Sequence, residues 1–291
     1  LRNPEPKETW CGPKGGRKSD HKIWRPFSGP LGDSAIKTAL AILNSLMTYL
    51  QTAAYIEFNP FSLVRHKNKI KDQLQSNQFT IEERILDDRE WRAILMSLEE
   101  QPDSNELEIA KKERLIFLLT ILYFLGLRID ELARSQWANF RKQHNKWWFF
   151  VLGKGGRLGK IPVNSQLLQA IIKFRHSQGL APLPLEHENK PIISSLSKPE
   201  QALTTRHMSN LLKSLAIKAA QKFSHQPQVM KKLLRFSPHW LRHLSASRQD
   251  LAGIAFTNIK QNLRHQNEQT TRLYVHAHDD QRHLEMEKLS F

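Results

Sequence analysis

Leu115 to Leu127 (LIFLLTILYFLGL) runs straight into Gly126-Leu127-Arg128-Ile129-Asp130-Glu131-Leu132, and this junction decides how the chain is read. The apolar run is too short to span a bilayer and contains Thr120 and Tyr123, so it reads as a buried core helix over 106–125. Gly126 supplies the turn that stops it, and a short helix restarts at Ile129. An arginine and a glutamate therefore stand just beyond the end of the chain's longest apolar run.

Upstream, a further helix is expected near 87–98. Downstream, Lys146-Trp147-Trp148-Phe149-Phe150-Val151-Leu152 and Gly159-Lys160-Ile161-Pro162-Val163 flank Gly153-Lys154-Gly155-Gly156-Arg157, which predicts a β-hairpin with a basic turn. Helices are then expected at about 165–176 and 204–222, separated by a Pro-rich connection at 180–199. Short helices follow at roughly 238–250, 257–264 and 268–275, the first with Ser237 as N-cap and Pro238 in its first turn. The fold class is mainly α with a small antiparallel β-hairpin or sheet (α+β).

The N-terminal part differs in texture. Residues 1–33 mix Gly, Pro and charge and read as an irregular basic arm. Leu40, Leu43, Leu46, Met47 and Leu50 recur at helical spacing, predicting a helix over 35–53 capped by Asp33 or Ser34. Asn59-Pro60-Phe61 ends that unit, and the polar run Lys67 to Gln78 is the expected linker. The domain division is 1–76 and 77–291. The start at Leu1 rather than Met leads us to expect a preceding segment.

The chain's 291 residues include 44 Lys+Arg against 28 Asp+Glu, a formal net charge of +16. Residues 1–76 hold 12 of the basic and 6 of the acidic residues, leaving 32 and 22 for the remainder, so both parts are basic. Such an excess points to a polyanionic partner, most simply nucleic acid, because neutralising phosphates releases counterions. The single cysteine, Cys11, excludes a disulfide framework and a cysteine-based metal site, and it fits a reducing cytoplasm.

The last third carries Pro238-His239-Trp240-Leu241-Arg242-His243, then Leu263-Arg264-His265, then Tyr274. To cleave a phosphodiester with a side chain, a protein must hold the phosphate charge, deprotonate a nucleophile and protonate the leaving 5′ oxygen. Arg128 and Arg242 suit the first task through their planar, permanently charged forks. His239 lies one helical turn before Arg242, so both can face one phosphate. His265 adds a further donor. Tyr274 is a hydroxyl nucleophile with cations arrayed before it in sequence. Ionising it at pH 7 costs roughly 4 kcal/mol without help from a base and nearby positive charge. Lys154, on its hairpin turn, can reach a leaving oxygen as general acid. Taken singly, each residue reads more simply: an arginine after a buried helix as a salt-bridge partner, Lys154 as a solvated turn residue, Tyr274 as core packing. The i,i+4 pair His239 and His243 suggests zinc, but the glutamate that a His-Glu-x-x-His site needs is replaced by Trp240.

In order and spacing, these motifs resemble the tyrosine recombinase (phage integrase) family. The resemblance runs from about Phe79 to the C-terminus, with a weaker echo of the family's helical core-binding domain in Ala35–Phe61. Gly126 to Leu132 fits the family's Gly-Leu-Arg-x-x-Glu-Leu turn, and Lys154 with Ile161-Pro162 fits its Gly-Lys-Gly hairpin. His239 to His243 fits its His-x-Leu-Arg-His box. Thr270-Thr271-Arg272-Leu273-Tyr274 resembles its Thr-Thr-x-x-Tyr. One departure is Arg264, which stands where the family has glycine before the second histidine; a phosphate contact or a benign change is expected there.

The resemblance implies a catalytic domain preceded by a small helical DNA-binding domain, and a site-specific recombinase or integrase that cleaves and rejoins DNA through a 3′-phosphotyrosyl intermediate. Tyr274 would be the nucleophile, with Arg128, Arg242 and His265 stabilising the transition state, His239 as general base and Lys154 as general acid. Glu131 would orient part of this set, while Arg157 and Arg264 would touch DNA. No metal or other cofactor is implied. The expected partner is a double-stranded recombination site bound by a homo-tetramer, on nucleoid DNA in the cytoplasm and not at a membrane. Two alternatives remain: a monomeric type IB topoisomerase with the same chemistry, and a catalytically silent DNA-binding regulator on the same fold.

Overall fold

A computed structural model of the protein describes residues 11, 29–63, 85–153, 156 and 158–264. The chain divides into two compact units, Leu1–Ile70 and Lys71–Phe291.

In the first unit, helix α1 (Asp33–Thr52) is followed by a 3-10 turn at Pro60–Leu63. The helix begins two residues earlier than its periodicity predicts. Its N-cap is Gly32, without a side-chain cap, so neither Asp33 nor Ser34 takes the expected capping position. Asn59 ties turn to helix: its amide donates to Asn44 Oδ1 at 3.0 Å and Thr48 Oγ1 at 3.1 Å, and its own Oδ1 accepts the Phe61 N–H at 2.9 Å.

The second unit is helical around one small sheet. Its elements are α2 (Asp88–Glu99), α3 (Glu106–Leu125), α4 (Ile129–Ala133), β1 (Phe140–Gln143), β2 (Lys146–Leu152), β3 (Leu158–Pro162), α5 (Ser165–Ser177), α6 (Thr205–Gln221), α7 (Pro227–Leu234), α8 (His239–Leu251) and α9 (Phe256–Leu263). The expected hairpin gains a third strand, giving an antiparallel sheet in the order β1-β2-β3. Helix α7 is absent from the sequence reading. The helix expected at 268–275 lies outside the described residues.

Helix α3 is the hub. Leu115, Phe117, Leu118, Leu119, Ile121, Leu122 and Leu125 are all buried, so it is apolar on nearly every side. It packs on α5 and α8, while α2 packs on α6 and α6 on α7. Asn105 caps its start by accepting the Glu108 N–H at 2.9 Å. Gly126 ends it in the left-handed region at φ 54°. A Cβ at this position would also lie 2.6 Å from Leu263 Cδ2, so both conformation and space demand glycine.

Helix α8 starts differently from its expectation. Pro238 itself is the N-cap and makes no side-chain cap bond, and Ser237 contributes its backbone carbonyl to the Trp240 N–H at 2.9 Å. Trp240 is core packing, set edge-on to Phe236 with centroids 5.8 Å apart.

The connection 178–204 is long but fastened. Buried Arg175 forks onto Glu188 with two 2.9 Å bonds, donates Nε to the Ala181 carbonyl at 2.7 Å and stacks on Trp137. Trp137 and Ala138 N–H groups then bond the Lys190 and Glu188 carbonyls. Because Glu188 would be left as a nearly buried charge, Arg175→Ala is expected to cost about 3 kcal/mol of stability. Urea unfolding at pH 7 checks this, against an expected cost under about 1 kcal/mol for the exposed pair Lys190–Glu200.

Candidate functional site

Two helices end at the same place. Helix α3 stops at Gly126 and α9 stops at Leu263, and the buried guanidinium of Arg242, on α8, lies between the two ends. Its Nη1 donates to the Gly126 carbonyl at 2.7 Å and its Nη2 donates to the Leu263 carbonyl. These carbonyls belong to helix C-termini, where backbone acceptors lack intrahelical partners and the helix dipole favours a cation. A sequence-predicted site residue thus doubles as the clasp of the core.

Each helix end leads directly to further site residues. Two residues after Gly126 comes Arg128, which opens α4. Glu131, only 3% exposed, folds back on it: Oε2 accepts the Arg128 N–H at 2.8 Å and Oε1 accepts Arg128 Nη1 at 2.9 Å. This is half of a capping box, with arginine in the N-cap position. The Arg128 side chain keeps 40% of its surface exposed, so its guanidinium is held on one side and open on the other.

One residue after Leu263 comes Arg264, itself left-handed at φ 56°. Its side chain crosses Gly159 of β3, where a Cβ would overlap the Arg264 Cδ. It ends on Glu131, with Nη2 2.7 Å from Oε2, while Nη1 donates to the Asn262 carbonyl at 2.6 Å. The phosphate contact expected of Arg264 is therefore not its arrangement here: the side chain, 9% exposed, turns inward to a carboxylate.

His239 is exposed one turn before Arg242, as its spacing predicts, and stacks edge-on against buried His243 with centroids 4.4 Å apart. Among the described residues, no group of three or more His, Cys, Asp or Glu side chains is placed to hold a metal ion. Gly153 and Gly156 close a turn through a 3.2 Å backbone bond. Lys154 and Arg157 of that turn, and His265 and Tyr274 beyond α9, lie outside the described residues.

The structure thus brings Arg128, Glu131, Arg242 and Arg264 together, with His239 on the helix of Arg242. Sequence reasoning missed the role of Gly159, although a glycine inside a strand is a usual sign of close approach. It also missed Asn262, whose amide donates to Gln249 Oε1 at 2.8 Å while Gln249 donates to Ser245 Oγ at 3.1 Å, fastening the end of α9 to α8.

Burial pushes the Glu131 carboxyl up, but Arg264, the bonds from Arg128 and the charge of Arg242 outweigh it and hold the group below its ordinary value. Burial likewise pulls the Arg264 guanidinium down, opposed by Glu131.

Residues 84–281 match the sequence model of the phage integrase family, and the chain belongs to that family. Tyrosine recombinase XerD of Rickettsia prowazekii (strain Madrid E) is 26% identical over 259 residues, 86% of this chain and 74% of that protein. Among solved structures, the Tn1549 transposon integrase in complex with a circular intermediate DNA aligns with a TM-score of 0.52 at 17% identity. It covers 89% of this chain and 80% of its own. The XerH site-specific recombinase in a post-cleavage complex with palindromic difH substrate aligns with a TM-score of 0.50 at 19% identity, over 70% of this chain. The match spans 52% of the XerH chain, about half its length. The fold is that of these proteins. Among the described residues, no helix is long and apolar enough to cross a membrane.

A depressed folded-state pKa means that ionised Glu131 stabilises the fold fully above its unfolded pKa, and that this contribution is lost as pH falls through the folded value. Glu131→Gln is therefore expected to be less stable than the wild type at neutral pH, by a margin that shrinks as pH falls below about 4.5. Urea midpoints measured from neutral to acid pH check this; a margin that stays constant into acid contradicts it.

Proposed function

We propose that the chain is a site-specific DNA recombinase that cleaves and rejoins strands through a 3′-phosphotyrosyl intermediate. The observation that carries this reading is the convergence of Arg128 and Arg242 at two helix ends, with His239 one turn away. Arg128 presents an open guanidinium face there and Arg242 stands buried on the carbonyls of the two helix ends, which supports a phosphate-binding role in a chain whose family and relatives are recombinases.

In this mechanism Arg128, Arg242 and His265 neutralise the charge that builds on the non-bridging phosphate oxygens. His239 accepts the Tyr274 proton as Tyr274 Oη attacks phosphorus. The bond to the 5′ oxygen breaks, and that oxygen takes a proton from Lys154. The new phosphodiester to tyrosine retains the bond free energy, so the free 5′-hydroxyl of another strand can reverse the step without a nucleotide cofactor. Lys154 sits by sequence on the β2–β3 turn, and His265 follows Arg264 directly. Their roles rest on the motifs that hold them.

The partner is duplex DNA, and the basic first unit is a second DNA-binding domain. The working assembly is a homo-tetramer on two recombination sites, acting on nucleoid DNA in the cytoplasm. The Xer and transposon proteins of the same fold, solved with DNA, support a DNA partner and favour a recombinase over a silent regulator.

Two outcomes test it. On nicked duplex DNA taken from the junctions beside the chain's own gene, the wild type forms an SDS-resistant 3′-linked adduct. Tyr274→Phe forms none while binding that DNA with unchanged affinity; an adduct of normal yield from the variant removes Tyr274 as nucleophile. Arg242→Ala slows single-turnover cleavage by about a hundredfold or more, measured at a temperature where circular dichroism shows it folded. A rate near the wild type refutes its place on the phosphate.

A further inference from the structure

We infer that Arg264 is a positioning residue for strand cleavage, acting by sharing the Glu131 carboxylate so that the Arg128–Glu131 pair presents a net positive charge to the phosphate. The inference rests on the proposed cleavage activity and adds a residue to it.

Three observations converge on Arg264. It occupies a left-handed C-cap, a conformation that glycine adopts freely and an L side chain only under strain. The path of that side chain is cleared by Gly159, which leaves no Cβ in its way. Its destination is the same Oε2 atom that accepts the Arg128 N–H, at 2.7 Å and 2.8 Å respectively.

The electrostatics follow from a count of formal charges. Glu131 with Arg128 alone is a neutral pair, and a guanidinium paired with a buried carboxylate attracts a phosphate weakly. Adding Arg264 brings the group to one net positive charge, with the carboxylate held on its inner side by two cations. Arg128 is then fixed in direction and still electropositive on its open face. Arg264 also joins three segments that carry site residues: the entrance to α4 with Arg128, strand β3 after the Lys154 turn, and the end of α9 before His265. A phosphate contact by Arg264 is the competing role. The present geometry opposes it, since Arg264 Nη2 is paired with the Glu131 carboxylate and its charge is met inside the protein, whereas the two Nη bonds of Arg242 go to uncharged backbone carbonyls.

The test uses the full chain and the nicked junction duplex described above, with adduct formation followed at saturating protein and affinity measured separately across a salt series. Wild-type adduct is the entry condition: its absence would count against the cleavage reading itself. Arg264→Gly relieves the backbone strain but takes one of two cations from buried Glu131, so its rate is measured at a temperature where circular dichroism shows it folded. It should bind DNA within about twofold of the wild type with an unchanged salt slope, yet cleave at least about tenfold more slowly. Adding Glu131→Gln to Arg264→Gly removes the carboxylate that now neutralises Arg128, and should recover part of the rate. Arg264→Lys, which keeps the charge, should cleave faster than Arg264→Gly.

A saturating rate in Arg264→Gly equal to the wild type overturns the inference. So does weaker binding with a shallower salt slope and an intact rate, the signature of a lost phosphate contact. A double variant no faster than Arg264→Gly overturns the charge-sharing account.

Discussion

The guanidinium of Arg242 between the carbonyls of Gly126 and Leu263 is the contact on which the second unit depends. Helix termini carry backbone acceptors that must find donors, and inside a protein an unmet acceptor costs on the order of 1–3 kcal/mol. One side chain meets two such ends at once. The ends belong to helices more than a hundred residues apart in sequence, so a single buried cation fixes where α3 and α9 stop relative to each other. Two of the site arginines then follow within two residues of those stops. Arg128 leaves one end and Arg264 the other, and Glu131 joins them.

The two ends are closed by different means. Gly126 takes the left-handed turn without steric penalty and lets Leu263 and Ser245 approach closely. Arg264 takes the same turn against its steric preference, offset by a buried ion pair. The first solution is a matter of space and the second of charge. Both leave the backbone pointing into the same site, and so the arginine at the second end adds something that a glycine there would not supply.

Much of this was legible in the sequence, for identifiable reasons. Helix α3 declared itself through an unbroken apolar run ended by glycine, and its bounds coincide with the expected 106–125. The β2–β3 hairpin was signalled by aromatic and β-branched residues around a Gly-rich turn. Strand β1 was not: Phe140-Arg141-Lys142-Gln143 has one apolar residue, and only its pairing with the aromatic strand β2 makes it a strand. Helix α7 is eight residues long with Pro227 in its first turn, too brief for periodicity to stand out. The conjunction of arginines, histidines, lysine and tyrosine was readable because order and spacing survive without coordinates. The direction of Arg264 was not. Its partner lies 133 positions away, and charge alone does not tell an arginine that faces phosphate from one that faces a carboxylate.

The connection after α5 has the mechanics of a hoop with two clamped feet. Arg175 holds the Ala181 carbonyl on one side and Glu188 on the other, and the backbone of Trp137 and Ala138 continues the grip through Lys190. Leu185, Glu186 and His187, at the crown between the feet, are exposed. The crown is itself a turn closed by the Glu188 N–H on the Leu185 carbonyl at 3.1 Å, and beyond that bond closure entropy grows only with the logarithm of length, roughly 0.6 kcal/mol per doubling. Length can therefore vary at the crown with little effect on the core, whereas one substitution at a foot loosens the whole arch.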